Sequence, residues 1–257
     1  MTPPAADIGV FGGSGFYEFL DDASEVHIET PYGDPSAPAV IGSIGPRSVA
    51  FIPRHGVDHE FPPHAIPARA NLWAMRELGV RAIFGPSASG SLCPEFAPGD
   101  FVVCDQLVDQ TSGRPDTFWD IGGDIDHVSL ADPYDPTLRQ IAVEACRAEG
   151  VRVHDGGTVV VINGPRFATR AESRFYRQMG ATVINMTQYP EVALAAEARI
   201  PYVNIALITD YDAGLDDEPD LPPVTQAEVF AFFESNVARV RKVLFGAIEQ
   251  VPQHLLG

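Results

Sequence analysis

The chain has 257 residues, of which 45% are hydrophobic, and its formal net charge at pH 7 is −18. A protein this acidic is poorly suited to bind nucleic acid, because neutralisation of phosphates by Lys and Arg dominates that affinity. It can still bind a small anion, since only the local field of an arginine or of backbone N–H groups matters at contact distance.

Membrane insertion and export are not expected. No stretch reaches the roughly 18 unbroken apolar residues of a membrane span, and the N-terminal residues lack the basic start of a signal peptide. Cys93, Cys104 and Cys146 have neither metal nor redox spacing, which is typical of a reducing compartment. We therefore expect a cytoplasmic protein, and because no repeat or linker divides the chain, we expect one domain over residues 1–257.

The first predicted strand lies within residues 7–15 and runs into a glycine-rich turn that contains Ser14. Glycines let the backbone approach a ligand closely, and Ser14 offers a hydroxyl among them. The Gly-x-Gly-x-x-Gly spacing of a dinucleotide-binding turn is absent. The turn is therefore either a ligand contact or a plain tight turn.

A second predicted strand, Arg47–Pro53, is followed by Arg54, His55 and His59. The planar fork of an arginine matches the geometry of phosphate, so Arg54 and His55 favour an oxyanion site. His55 and His59 have the i, i+4 spacing of a helical metal site, but the surrounding glycine and prolines argue against a helix. Zinc also needs three or four organised ligands.

Residues 68–78 form a predicted amphipathic helix, and residues 80–84 a third strand. The hydroxyl-rich stretch 85–92, which contains Ser87, is predicted as a second anion-binding loop at the end of that strand. Residues 101–107 are predicted as one further strand.

Residues 109–136 form a long polar stretch that contains Phe118, Trp119 and His127. Loops this long within compact domains are usually lids, interfaces or disordered. The aromatic residues favour an ordered subunit interface.

A helix is predicted over residues 136–149 and a strand over residues 157–162. Thr169 and Glu172 then have the spacing of a capping box, which marks the start of a helix. Phe167, just before this box, is suited either to stack on a planar ligand or to anchor the core.

Residues 181–184 and 202–208 are predicted as two strands with a helix between them, and Pro190 and Glu191 suit the first turn of that helix. The uniformly apolar run 202–208 indicates a strand buried on both faces. A sheet of such strands is covered by helices on both sides.

Asp210 and Asp212 follow the predicted strand 202–208 directly. In open α/β sheets ligands bind at the carboxyl ends of strands. Two carboxylates at the end of a buried strand therefore favour a ligand site over a pair of structural caps.

The acidic, proline-containing stretch 213–224 is predicted as a lid. Thr225 and Glu228 form a second capping box, which starts a C-terminal helix over residues 225–250. The fold class predicted is α/β: a single domain with a mixed, twisted central sheet flanked by helices on both faces.

Six motifs occur in order over residues 7–250: Gly-Gly-Ser-Gly, Arg-His-Gly-x-x-His, Ser-Ala-x-Gly-Ser-Leu, Gly-Pro-Arg-Phe-x-x-Arg-Ala-Glu-Ser, Asn-Met-Thr-x-x-Pro-Glu-Val and Thr-Asp-Tyr-Asp. With these motifs the chain resembles the 5′-methylthioadenosine phosphorylases, a branch of the trimeric purine nucleoside phosphorylases. The resemblance implies phosphorolysis of a purine nucleoside, with inorganic phosphate as co-substrate and neither a metal nor an organic cofactor.

It also implies the following contacts. Phosphate would be bound by Ser14, Arg54, His55, Ser87, Ala88 and Thr187, and the nucleoside by Phe167, Met186, Asp210, Tyr211 and Asp212, with Asp210 and Asp212 as the catalytic pair.

The resemblance also implies which residues set specificity. Ala168 and Asp210 stand where relatives that act on 6-oxopurines carry glutamate and asparagine, and an acceptor carboxylate suits a 6-amino group. Gln226, near Val229 and Phe230, stands where the family usually has an aliphatic residue for the methylthio group. A 5′ substituent other than methylthio, including the hydroxyl of adenosine, therefore remains open.

The resemblance further implies a homotrimer in which the loop of His127 reaches the 5′ pocket of a neighbouring subunit. Several alternatives stay open at this point: a phosphorylase of adenosine or of a 6-oxopurine nucleoside such as inosine or methylthioinosine, a phosphate-independent nucleosidase, and a non-catalytic binding protein.

Overall fold

The structure is a computed structural model that describes residues 5–12, 20, 23–120, 125–215 and 223–256. Eleven strands in these ranges form one sheet. They are β1 (Ile8–Gly12), β2 (Ser24–Val26), β3 (Ala39–Ile44), β4 (Arg47–Pro53), β5 (Ala82–Ser91), β6 (Phe101–Val103), β7 (Gln106–Gln110), β8 (Val153–Asp155), β9 (Thr158–Ile162), β10 (Val183–Asn185) and β11 (Tyr202–Asp210).

Five α-helices accompany the sheet in the same described ranges. They are α1 (Ala68–Glu77), α2 (Pro136–Ala148), α3 (Arg170–Gln178), α4 (Gln188–Glu197) and α5 (Gln226–Glu249). None of them is both long enough and apolar enough to cross a membrane.

The sheet is mixed and is covered on both faces, as predicted. On one face the α2 residue Leu138 and the α5 residue Leu244 belong to the same buried cluster as Phe84 of β5. On the other face, Leu72 of α1 and Leu194 of α4 belong to a second cluster with the neighbouring strand residues. The fold is therefore a single α/β domain with two layers of helices around one sheet.

Strand β5 is the centre of the sheet. It pairs in parallel with β1 and β11 and antiparallel with β10. Because β1 is also parallel to β4, the carboxyl ends of β4 and β11 lie at the same edge of the sheet. The antiparallel pairing between β10 and β5 involves only Gly90 and Ser91 of β5. It brings Asn185, at the end of β10, close to the carboxyl end of β11.

The loop predicted over residues 85–92 is wrong, because β5 continues through Ser91. The anion-binding role of this stretch stays a prediction. Gly85 and Ser87 look like loop residues in the sequence, but both contact β11. A Cβ on Gly85 would lie 1.9 Å from the Tyr202 hydroxyl oxygen, and Ser87 Oγ accepts a hydrogen bond from Asn204 Nδ2 at 3.0 Å.

The single strand predicted over residues 101–107 is also wrong, because it is two strands, β6 and β7, separated at Cys104 and Asp105. β6 pairs with β8 and β11, whereas β7 pairs with β9, so the chain changes position in the sheet between them. The short strands β2, β3 and β8 were not predicted. β2 is exposed along most of its length, which hides the usual apolar pattern of a strand.

The predicted helix starts are confirmed. Thr169 and Thr225 each form a capping box with the glutamate three residues later. Tyr189 has a non-helical backbone, with φ −110° and ψ 132°, so the regular part of α4 begins at Pro190 as predicted.

Residues 111–120 and 125–135 contain no helix or strand. Most of the predicted lid, residues 216–222, lies outside the described residues. The subunit-interface role of residues 109–136 stays a prediction.

Candidate active site

A cleft of about 430 Å³ opens where β4, β5, β10 and β11 meet. It has two chemically different ends: Arg54, His55 and Ser87 at the arginine end, and Asp210 and Asp212 at the carboxylate end. Its walls are completed by His59, Glu60, Pro62, Pro63, Ala88, Ser89, Gly90, Ile162, Pro165, Phe167, Ile184, Asn185, Met186, Thr187, Thr209, Gln226, Val229 and Phe230.

Arg54 directly follows β4, and its side chain is completely buried. Its Nε and Nη2 donate to the two carboxylate oxygens of Glu191 at 2.6 and 3.0 Å, and Nη1 donates to the Pro86 carbonyl at 2.9 Å. Burial by itself lowers the pKa of Arg54, but Glu191 more than offsets it, so that pKa is raised. The guanidinium is therefore a fixed cation whose charge is balanced by a buried partner.

His55 is neutral at pH 7. Its Nδ1 lies 2.8 Å from the Phe61 carbonyl, which can only accept, so Nδ1 carries the hydrogen and Nε2 is an acceptor. Burial lowers the pKa of His55 to about 4, and the positive charge of Arg54 acts in the same direction. The ring stacks on His59 with centroids 4.5 Å apart. The arginine end therefore offers both a donor and a hydrogen-bond acceptor to a ligand.

Buried polar side chains behind the arginine end hold Ser87 in place. Ser87 Oγ lies 3.1 Å from Ser89 Oγ and accepts from Asn204. Thr187 precedes the kink at Tyr189 and lines the same wall of the cleft, and its side chain makes no capping bond within the described chain.

The carboxylate end is built at the exit of β11. Asp210 Oδ2 accepts from the Thr209 hydroxyl at 2.6 Å, and Oδ1 accepts from the Asp212 backbone N–H at 2.7 Å. Burial raises the pKa of Asp210 above its ordinary value, against the opposing effect of these two hydrogen bonds.

Asp212 is buried and adopts a left-handed backbone with φ 48°. Its Oδ2 has no hydrogen-bond partner among the described residues. Burial raises the pKa of Asp212 to about 6, against hydrogen bonds from the Ser173 side chain and the Ala213 backbone N–H, and the nearby charge of Asp210 acts in the same direction as burial. Both carboxyl groups therefore have pKa values raised by burial, and that of Asp212 lies near neutral pH.

Space for the two carboxyl groups depends on Gly90 of β5. A Cβ at this position would lie 3.0 Å from Asp210 Oδ1 and 2.9 Å from Ile184 Cγ2. Any larger residue would have to displace one of these groups.

The Phosphorylase superfamily model matches residues 7–249 of this chain. The chain belongs to that superfamily. It is 54% identical over 245 residues to the S-methyl-5′-thioadenosine phosphorylase of Mycolicibacterium smegmatis, covering 95% of this chain and 91% of the relative. It is 49% identical over 254 residues to the purine nucleoside phosphorylase of Streptomyces coelicolor, covering 96% and 90%. The solved structure of the methylthioadenosine phosphorylase from Schistosoma mansoni in complex with adenine superposes with a TM-score of 0.90 at 36% identity, covering 96% of this chain and 92% of the other.

The cleft of this phosphorylase brings together most of the residues that the sequence singled out. They are Arg54, His55, Ser87, Ala88, Phe167, Met186, Thr187, Asp210, Asp212, Gln226, Val229 and Phe230.

Four predicted site residues are not in the described wall of the cleft. Ser14 lies outside the described residues. Tyr211 is half-buried but does not line the cleft, and His127 is exposed. Ala168 packs against the buried cluster that contains Val160 instead of facing the cleft.

Sequence reasoning missed the buried partners of the site. Glu191 was assigned only to the helix dipole, yet it neutralises Arg54, and Asn204 was hidden within an apolar strand. The available signal for Glu191 was its position, because a charged residue directly before the long apolar run of α4 needs a buried partner. Within the described part of the chain, no group of three His, Cys, Asp or Glu side chains is arranged so that it could hold a metal ion.

Proposed function

We propose that this chain catalyses phosphate-dependent cleavage of the N-glycosidic bond of 5′-methylthioadenosine, giving adenine and 5-methylthioribose 1-phosphate. The observation that carries the proposal is the cleft with an arginine site at one end and two buried carboxyl groups at the other. The names of the relatives from M. smegmatis and S. mansoni support it.

The arginine end suits the nucleophile. Phosphate would bind at Arg54, Ser87, the Ala88 N–H and Thr187, and the Ser14 hydroxyl belongs to the same proposal. Because His55 is neutral with an acceptor Nε2, it would accept a hydrogen bond from the P–OH group of hydrogen phosphate. Phosphate is already an anion, so it can stabilise the positive charge that develops on the ribose and then form the new C–O bond.

The carboxylate end suits the leaving group. Adenine departs poorly as an anion unless N7 receives a proton, and proton donation of this kind typically contributes ~10²–10⁴-fold. We assign the proton to Asp212, whose pKa burial raises to about 6, and the acceptor for the 6-amino group to Asp210. Phe167 would pack on the purine and Met186 on the ribose.

The 5′ end of the ligand would face Gln226, Val229 and Phe230. Val229 and Phe230 suit an apolar methylthio group, whereas the carboxamide of Gln226 offers hydrogen bonds to a hydroxyl. Adenosine is therefore a second candidate substrate. We also propose a homotrimer in which the exposed His127 reaches a neighbouring 5′ pocket.

The test is adenine release from methylthioadenosine and from adenosine, each with and without phosphate, with methylthioinosine as the 6-oxo comparison. We expect release only with phosphate. Release without phosphate would show a nucleosidase instead. A preference for adenosine would mean that the 5′ pocket accepts a hydroxyl group and not a methylthio group.

Asp210→Asn tests the purine contact. The amide removes the negative charge and replaces one of the two acceptor oxygens by a donor, so we expect kcat/KM for methylthioadenosine to fall by roughly 10–10²-fold, the usual contribution of a hydrogen bond to a charged group. The exposed carboxylate variant Asp34→Asn should match the wild type. Full activity of Asp210→Asn on methylthioadenosine would remove Asp210 from the site, and a non-catalytic binding protein would show no turnover in any variant.

A further inference from the structure

Arg114 is a half-buried residue in the segment between β7 and α2 that does not line the cleft. It lines a neighbouring cavity of about 120 Å³. Pro63 and Thr187 line both cavities, so they form the partition between the cleft and the cavity of Arg114.

The guanidinium of Arg114 makes five hydrogen bonds. Nη1 donates to the carbonyls of Met186 at 2.8 Å and Tyr189 at 2.5 Å. Nη2 donates to the carbonyls of Ile162 at 3.3 Å and Asn163 at 2.7 Å, and Nε donates to Asn163 Oδ1 at 3.2 Å. A guanidinium has five N–H donors, so the whole donor capacity of the side chain is used.

The acceptors belong to two segments that form the cleft wall. Ile162 and Asn163 lie at the end of β9, where the chain turns toward Phe167. Met186 and Tyr189 lie between β10 and α4, on either side of Thr187. Since β9 and β10 are adjacent parallel strands, Arg114 joins the two loops that leave the same edge of the sheet.

Backbone carbonyls in and around the cleft loops are strong hydrogen-bond acceptors that need donors when they are buried. Arg114 satisfies four of them with one rigid planar group, whereas lysine has only three donors on a flexible stem. Burial lowers the pKa of Arg114, against the charges of Asp109 and Glu191, but an arginine remains protonated in proteins.

The segment that carries Arg114 is itself anchored. Glu197 of α4 accepts from the Thr117 hydroxyl at 2.6 Å and from the Phe118 N–H at 2.7 Å. The Tyr189 hydroxyl donates to Asp116 at 2.6 Å. These bonds place the segment of Arg114 against α4, whereas the five bonds of the guanidinium itself make Arg114 the brace between the two cleft loops.

We propose that Arg114 is a positioning residue for the phosphorolysis proposed above, on which this inference rests. It fixes the spacing between the loop of Phe167 and the loop of Met186 and Thr187 without touching either substrate. The nucleoside binds between these loops, and a misplacement of ~1 Å in such a site can cost about 10²-fold in rate.

Arg114→Ala should lower kcat/KM for the nucleoside by on the order of 10²-fold. Arg114→Lys should give an intermediate loss, because three donors replace five. Millimolar guanidinium ion should partly restore Arg114→Ala but leave the wild type unchanged. If Arg114→Ala folds poorly, Arg114→Lys carries the same comparison.

Glu197→Gln is the matched control, because it weakens the anchoring of the same segment without removing a bond to the cleft loops. We expect its kcat/KM to stay close to the wild type and to be insensitive to guanidinium. An equal loss in Glu197→Gln and Arg114→Ala, or no rescue by guanidinium, would overturn the proposal.

Hydrogen exchange of residues 163–169 and 186–189 separates this inference from the proposed function. Both segments should exchange faster in Arg114→Ala than in the wild type and in Glu197→Gln. If the hydrogen-exchange rates of both segments are the same in Arg114→Ala as in the wild type, Arg114 does not hold the two loops together. If the wild type releases no adenine with phosphate, the proposed function fails, whereas the exchange result still tests the contacts of Arg114.

Discussion

At the scale of single residues, the site contains side chains whose pKa values are shifted away from their ordinary values by burial. Burial leaves His55 neutral with a pKa of about 4 and moves the pKa of Asp212 to about 6. Both shifts cost stability at some pH, and such costs are typical of functional groups. The pH dependence of the free energy of unfolding therefore reports on these two side chains.

Asp212→Asn should change how stability depends on pH. The folded-state pKa of about 6 lies above the ordinary 3.8, so the folded state binds more protons between these values and becomes more stable as pH falls. From pH 8 to pH 5 the wild type should gain about 1 kcal/mol of unfolding free energy relative to the variant. Urea unfolding at both pH values measures this difference.

The wild-type curve alone does not isolate Asp212, because His55 acts in the opposite direction and loses stability below its ordinary pKa of 6.5. The difference between Asp212→Asn and the wild type removes that contribution. A pH-independent difference for Asp212→Asn would contradict the raised pKa.

At the scale of elements, the sequence predicts those whose own residues specify them. The C-terminal helix follows from its capping box and apolar face, and the start of α4 follows from Pro190. β5 is different, because Gly85 and Ser87 have turn-forming preferences that contacts with Tyr202 and Asn204 override. Tertiary partners of this kind are not visible in local patterns.

The residues of the candidate site also divide into those that local patterns predict and those that depend on tertiary contacts. The sequence identifies most of its residues from strand ends and from the resemblance. It does not show that Arg54 pairs with Glu191, 137 positions away, or that Arg114 joins two cleft loops. These contacts depend on how β9, β10 and α4 are placed relative to each other, which no local pattern encodes.

Gly90→Ala tests the contribution of β5 to the site. The added methyl would meet Ile184 Cγ2 at 2.9 Å and Asp210 Oδ1 at 3.0 Å, so the Ile184 side chain, the carboxylate or both have to shift. We expect kcat/KM for the nucleoside to fall by roughly 10²-fold, with a cost of about 1–3 kcal/mol in unfolding free energy. Steady-state kinetics and urea unfolding measure the two effects.

Gly246→Ala in helix α5 is the control, because the nearest atom to a Cβ there would be Ala145 Cβ of α2 at 3.9 Å, an ordinary contact. It should leave kcat/KM unchanged and add ~0.5–1 kcal/mol of stability. Gly90→Ala with wild-type kinetics would mean that Asp210 does not need its observed position.

At the scale of the whole molecule, the net charge of −18 opposes the proposed co-substrate. Arg54 attracts phosphate only at short range, and its charge is balanced by Glu191. The long-range field of the protein therefore repels hydrogen phosphate before it reaches the arginine end, whereas a neutral nucleoside is unaffected.

Screening should relieve this repulsion. The Debye length shortens from ~30 Å at 0.01 M to ~8 Å at 0.15 M ionic strength. We expect this change to lower the KM for phosphate by about twofold to fivefold, since the local contacts at Arg54 are much less screened than the distant surface carboxylates. Initial rates in a non-phosphate buffer at the two salt concentrations test this expectation, and the KM for the nucleoside in the same assays is the internal control. A phosphate KM that rises with salt would instead mean that the local cationic field governs capture of the anion despite the acidic surface.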